Sequence, residues 1–469
     1  MEDEISSKVL NDLNNSYETK NPINEKLIDD YILILTKEII LNNDNLIKFI
    51  TIINQILQSL EYSVIDPSGI LIKLLNKILS FLDFNQILEY YPKEFILEHL
   101  YSNSSIITIL CLNIINLNLH QNETKQFIET NNILKNIIEL FFNKSTTIPI
   151  LNSIEKLISN LNQNEIYLLN GSMDLFKSIK QSNDSILLSR YLDLFIILSS
   201  NLQNVDPTLY QFNSKEILKF NNDPLFLILL IQFYITLIKT KLDINDSLID
   251  ILKLYKDDKF EEIVNLEVIN LISKMSYHNY KQILEKFEYF KTYNLIKIFD
   301  KDEIEIKLLS QSNPNLIYDL NNSIFTDVIV NLPLFDDLYF PILLNFIKSQ
   351  IVWQDIKPKL NPNKLTKLSK YKLFSLLLVM SNYEWTKEYL FNDLTEILST
   401  EIINSNITNT ELWNLKLKIL ENLNEKEENQ LIPGYNNLEL KLKQSYDRVR
   451  FGENYKNIQP KVEVIDEFD

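Results

Sequence analysis

"YPKEFILEHLYSNSSIITILCLNII", residues 91–115, holds two apolar-faced segments separated by a polar break. In the second segment Ile106, Ile107, Leu110, Cys111, Ile114 and Ile115 recur at i, i+1, i+4, i+5, i+8 and i+9 spacing. A helical period places all six on one broad stripe. In the first, Phe95, Ile96 and Leu100 share one side, while Lys93, Glu94 and Glu98 lie elsewhere. The SNSS at 102–105 supplies a turn and an N-cap for the second helix. Neither helix can bury its stripe alone, so the stretch predicts a helix pair that stacks on neighbours.

The same grammar extends along the chain. Apolar spacing predicts helices over 24–42, 44–61, 67–81, 131–142, 145–160, 183–200, 244–256, 260–275, 301–310, 335–351, 363–380, 384–399 and 409–423. Residues 225–238, LFLILLIQFYITLI, predict a helix buried on all sides. Residues 434–450 predict one amphipathic helix that closes the array. Six of thirteen prolines follow Asn or Asp, at Pro22, Pro67, Pro207, Pro224, Pro314 and Pro362. An Asx cap followed by proline at the first helical position is a helix start, since proline has no N–H to leave unpaired there. No Asn-Gly or Asp-Gly hairpin turn occurs, and period-two alternation is not sustained.

Helix pairs recurring every forty residues or so define HEAT and armadillo arrays. The expected fold is all-α, a HEAT/armadillo-like solenoid of roughly ten or eleven helix pairs spanning 1–453. Such an array curves and offers a concave surface. A large single globular helical domain is the competing architecture. Residues 454–469 are polar, end in EVIDEFD, and predict a disordered acidic tail.

Composition narrows the function classes. The net charge of −17 opposes binding to a phosphate backbone and suits a basic protein partner or plain solubility. The single cysteine, Cys111, forbids an intrachain disulfide. MEDEISSK at the start lacks the apolar run of a signal peptide, and the 225–238 stretch is too short to span a bilayer. The expected address is the cytoplasm, with the nucleus open. The four glycines are too far apart for a phosphate-cradling loop. His99, His120 and His278 show no metal-ligand spacing. No enzyme, metal or cofactor is expected.

Individual residues have structural readings. Cys111 sits on the apolar stripe and reads as a buried thiol. DINDSLID at 243–250 has Leu248 where a calcium loop needs glycine, so helix capping explains it. Trp353, Trp385 and Trp413 are followed four residues later by Lys357, Tyr389 and Leu417. This is not the Trp/Asn ladder of armadillo import receptors, and packing between repeats is the expected role. From 356 to 383 there is no acidic residue but there are six lysines, with Lys364, Lys367 and Lys370 on one predicted helical face. That face reads as solvated, or as a contact for an acidic partner segment.

Four stretches, in order, carry a family resemblance. They are 82–116, 152–179, SNYEWTKEYLFNDLTEIL at 381–398, and LELKLKQSYDRVRFGENYK near the end. They resemble the HEAT-repeat chaperone that assembles the base of the proteasome regulatory particle. That family is known as non-ATPase subunit five in animals and as the high-spontaneous-mutability "mismatch repair" protein in yeasts. The resemblance implies a C-shaped array that binds the small C-terminal domain of AAA ATPase subunit one. It implies company from a neighbouring ATPase and a large base scaffold subunit, and release once the ring matures. It brings no catalytic residues. Direct action on DNA, which the yeast label suggests, is a third reading that the net charge of −17 opposes, so a repair phenotype is expected to be indirect. Polar and aromatic positions near helix junctions are the candidate protein contacts: Glu89, Tyr90, Glu94, Tyr383, Glu384 and the Lys364, Lys367, Lys370 face. The rival reading is another helical-repeat adaptor or transport scaffold.

Overall fold

A computed structural model of the chain describes residues 2–41, 46–101, 105–163, 165–199, 206–287, 301–424 and 436–452. Every regular element among them is helical. The chain divides into two compact units, Met1–Ile251 and Leu252–Asp469.

In the first unit a row of helices forms the spine: Ile70–Leu79, Ser105–Leu117, Ile148–Ser159, Ser185–Ser199 and Pro224–Leu237. Each packs on the next, and their starts lie about 35 to 43 residues apart. Shorter helices such as Phe84–Tyr90, Asn122–Thr130 and Met173–Lys180 fill the intervals. In the second unit Glu262–Ser276, Glu303–Gln311 and Phe340–Phe346 stack in turn, as do Lys370–Met380, Thr410–Asn424 and Asn436–Phe451. The fold is an all-α helical-repeat solenoid, and within each unit the core runs from repeat to repeat. Leu110, Cys111, Ile114 and Ile115 of the opening stripe are all buried.

Hydrogen bonds stitch the repeats at the same interval. The Tyr91 hydroxyl donates to Asn54 Oδ1 at 2.7 Å, and the Phe84 N–H to Gln121 Oε1 at 3.0 Å, both across 37 residues. The Trp385 indole donates to the Ile347 carbonyl at 3.3 Å, 38 residues back. Trp353 is buried with its ring edge-on to Tyr389. Two of the tryptophans thus join repeats, as their composition predicts.

Punctuation follows the Asx-Pro rule at four of the six sites. Asp206, Asp223, Asn313 and Asn361 each accept a backbone N–H with proline in the first turn. The other two are corrections. Pro22 lies in a linker, and Asn24 caps the helix that begins at Glu25. Pro67 lies in a turn. Gly69, at φ +71°, enters helix Ile70–Leu79, and Asp66 accepts the N–H groups of Ile70 and Leu71 at 2.9 and 3.0 Å. Glycine adopts this left-handed conformation without the steric cost that a Cβ brings.

Several long predicted helices are interrupted. The 24–42 segment breaks after Ile34, where Leu35 is extended. The 335–351 segment is a turn, then Phe340–Phe346, then a helix from Gln350 capped by Ser349. The 384–399 segment stops at Asn392 and resumes at Thr395. Ser349 shows why pattern alone misses such a stop, since a short polar cap looks like an ordinary surface residue. Helix Pro224–Leu237 is not buried all round: Leu225, Leu229, Gln232 and Thr236 form an exposed stripe at helical spacing. The acidic start is helical, Glu2–Thr19, with Val9 and Leu13 fully buried and the Ser6 hydroxyl 3.0 Å from that of Tyr31. The helix predicted over 434–450 is present as Asn436–Phe451. The SNSS turn, apart from Ser105, and the 454–469 tail fall outside the described residues.

Candidate protein-binding surface

The candidate contacts fall into two groups, one in each unit. Glu89 and Tyr90 end helix Phe84–Tyr90, and Glu94 lies in the first turn of Lys93–His99. The Asp83 side chain accepts from Gln86 N while the Gln86 side chain accepts from Asp83 N, a capping box that sets the entry of the first helix. Glu89 and Glu94 are exposed and Tyr90 is half-buried, so this helix junction presents carboxylates beside an aromatic edge.

In the second unit Tyr383 precedes helix Glu384–Asn392 and stacks on Trp385 with centroids 4.9 Å apart. Glu384 pairs with Lys387 at 3.1 Å, one helical turn on. Lys364, Lys367 and Lys370 do not share a helical face. Helix Pro362–Leu365 ends after one turn, and Ser369 caps a new helix beginning at Lys370. Ser369 accepts the Lys372 N–H and starts the second helix, after a turn at 366–368 that apolar spacing alone does not register. Much of the surrounding positive charge is also matched. Lys370 reaches Glu401 at 3.8 Å, Lys372 reaches Asp337 at 2.6 Å, and Lys357 reaches Asp393 at 3.9 Å.

The first unit holds a polar groove that the sequence did not single out. Its volume is about 510 Å³, and Lys177, Lys180, Asp206, Glu216, Asp246 and Asp250 supply its charge. Lys180 is largely buried, 3.5 Å from Glu216 and 4.8 Å above the Phe212 ring. Burial pulls its ammonium below the usual lysine range, while Glu216 acts in the opposite sense. Lys177 lies 3.4 Å from Asp206, whose carboxyl is held below its ordinary value chiefly by hydrogen bonds from Thr208. Four carboxylates against two ammoniums leave an acidic surplus suited to a cationic side chain. These residues come from three successive repeats, so only the repeat register brings them together.

Remaining candidates are structural. Cys111 is buried, and burial pushes its thiol up to about 12. His99 Nδ1 lies 3.0 Å from the Phe95 carbonyl and its ring stacks on Phe95. His120 and Lys125 reach the buried Glu165 carboxylate at 3.0 and 2.9 Å. Burial acts to raise that carboxyl, yet hydrogen bonds from His120, Lys125 and the Asn162 backbone hold it below the ordinary value. Asp243 accepts the Asn245 N–H at 3.2 Å, the capping role expected of the 243–250 stretch. No three metal-ligating side chains converge among the described residues. No described helix is long and apolar enough to cross a membrane.

Comparison with known proteins gives these surfaces a family. A family model described as the N-terminal domain of DNA mismatch repair protein HSM3 matches residues 7–239. The corresponding C-terminal domain model matches residues 243–468, so the join lies close to the division between the two units. A protein named DNA mismatch repair protein HSM3 from Candida albicans is 44% identical over the full length of both chains. Its namesake in Scheffersomyces stipitis is 37% identical over 99% of this chain and 98% of its own. The Saccharomyces cerevisiae namesake is 21% identical over 82% of each. Matches that run the length of both units, at such identity, establish that the chain belongs to the HSM3 family.

Proposed function

We propose that the protein is a non-catalytic assembly chaperone of the proteasome regulatory-particle base. It holds the C-terminal domain of an AAA ATPase subunit, subunit one by resemblance, together with a neighbouring ATPase and the large base scaffold. It releases them when the ring matures. The observation that carries this reading is full-length membership of the HSM3 family in a chain built as stacked helical repeats. Repeat arrays present broad surfaces on which polar contacts fix orientation and favour fast association. A chaperone that must let go is well served by such a surface rather than by a deep apolar pocket.

The relatives' name favours a second reading, action in DNA mismatch repair. A chain of net charge −17 is poorly suited to neutralise a phosphate backbone, so a repair phenotype would act through protein degradation. A third reading, a transport or scaffold adaptor, predicts other partners altogether. A pull-down from cell extract with this chain as bait, read by mass spectrometry, separates the three. The chaperone reading expects proteasomal ATPases and a large base subunit without mature core particle. Repair or transport proteins with no proteasomal ATPase would overturn it.

A further inference from the structure

The second unit carries a pocket whose charge opposes that of the chain. Its volume is about 320 Å³, and Ser405, Trp413, Lys416, Ser445 and Arg448 line it with Gly452. Among the described residues two cations face it and no carboxylate does. Lys416 projects from helix Thr410–Asn424 and is only 4% exposed. Its Nζ donates to the Ser405 carbonyl at 2.7 Å and lies 3.5 Å from Ser405 Oγ. These neutral oxygens satisfy donors but leave the charge uncompensated, and a buried charge calls for a counter-ion. Among the described residues neither Lys416 nor Arg448 forms an ion pair. Burial, and secondarily Arg448, push the Lys416 ammonium down to about 8.

Arginine use sharpens the picture. The chain has three arginines among 46 basic residues: Arg190, Arg448 and Arg450. Arg190 donates to the carbonyls of Phe141 and Asn143 at 3.0 and 2.9 Å. Arg450 stands 3.9 Å from Glu421. Arg448 is exposed at the pocket, and among the described residues its fork has no hydrogen-bond or ion-pair partner. A planar guanidinium matches a carboxylate in two-point contact, which a lysine cannot do. The pocket also exceeds what a small inorganic anion fills, since its volume is that of roughly ten water molecules. Trp413 gives it a flat apolar wall against which a peptide can lie.

We propose that this pocket binds the carboxylates of an acidic peptide segment, with Arg448 forking one and Lys416 receiving another beneath it. The inference does not depend on the chaperone reading. Two sources share the chemistry. One is an acidic segment of a partner. The other is the chain itself, which continues beyond Gly452 to Glu463, Asp466, Glu467 and Asp469.

The test is fluorescence anisotropy of a labelled hexaglutamate peptide with the full-length chain. Arg448→Ala and Lys416→Met should each weaken binding by about tenfold or more. Melting curves establish that both variants are folded. Binding should also weaken with added salt, and as pH rises through about 8, where Lys416 loses its proton. Neutralising the chain's own candidate in a fourfold variant (E463Q, D466N, E467Q, D469N) separates the sources. Tighter peptide binding by that variant identifies the chain's own segment, and unchanged binding identifies a partner's. Peptide affinity indifferent to both pocket substitutions would overturn the proposal. Inorganic phosphate occupying the pocket while the peptide does not would overturn it too.

Discussion

Helices 105–117 and 148–159 of the first unit pack on each other and bury Leu110, Cys111, Ile114, Ile154 and Leu157, with Thr108 the one polar side chain buried on either. In the second unit, helices 262–276 and 340–346 bury Ser273, Ser276 and Asn345, and the C-cap of helix 303–311, Ser312, is buried with them. There the Asn345 amide donates to the carbonyls of Leu309 and Ser312 at 2.8 and 2.6 Å. The Ser276 hydroxyl accepts the Asn313 N–H at 2.8 Å, and the Ser273 and Ser312 hydroxyls lie 3.3 Å apart. An apolar seam is stabilised by area removed from water, a gain that has no direction of its own. A seam with buried polar groups is held to one register, because sliding leaves carbonyls and amides unpaired.

Breaking the apolar seam should cost most. Leu110→Ala should lower stability by about 2–5 kcal/mol, read from the midpoint of a denaturant melt. A change near zero would show that this stripe is not core. Asn345→Ala leaves two buried carbonyls without a donor and should cost about 1–3 kcal/mol. Asn345→Asp should be no milder, since it also removes the amide donor.

Lys416 sharpens the contrast, because it is a buried polar group that the seam does not satisfy fully. Its ammonium lies near 8, against an ordinary value of 10.5. The unfolded chain therefore binds the extra proton between those two values, and stability rises with pH across that window. Lys416→Met should raise stability at neutral pH by about 1–2 kcal/mol, after allowing for two lost hydrogen bonds. The gain should shrink as pH climbs from 8 toward 10.5, which parallel melts at both ends of the window would show. Lys370→Ala should be the smallest effect. Its partner Glu401 is 3.8 Å away and both groups are partly solvated, so the loss should stay below about 1 kcal/mol.

The two seams were not equally legible. The apolar one is written in the sequence as a stripe at helical spacing, and Leu110 to Ile115 occupy the buried positions that spacing predicts. Ser273, Ser312 and Asn345 carry no such mark, since in isolation each resembles a surface or cap residue. The class of fold follows from periodicity, whereas the helix ends at 34, 365 and 392 depend on caps and turns that a hydrophobic pattern does not register. The placement of the candidate contacts was unevenly legible for the same reason. Glu89, Tyr90 and Glu94 do sit at a helix junction, while the lysine face dissolves once Ser369 restarts the chain as a new helix. The groove joining Lys180, Glu216 and Asp250, and the pocket joining Lys416 and Arg448, unite residues from different repeats. Linear motifs cannot show such groupings before the stacking register is known.

The most direct test uses purified components. The full-length chain is mixed with the isolated C-terminal domain of proteasomal ATPase subunit one and, separately, with duplex DNA. Each mixture is followed by size-exclusion chromatography with light scattering. A stoichiometric complex with the ATPase domain, and none with the duplex, is the predicted result. A chain that shifts with DNA and ignores the ATPase domain would contradict the account.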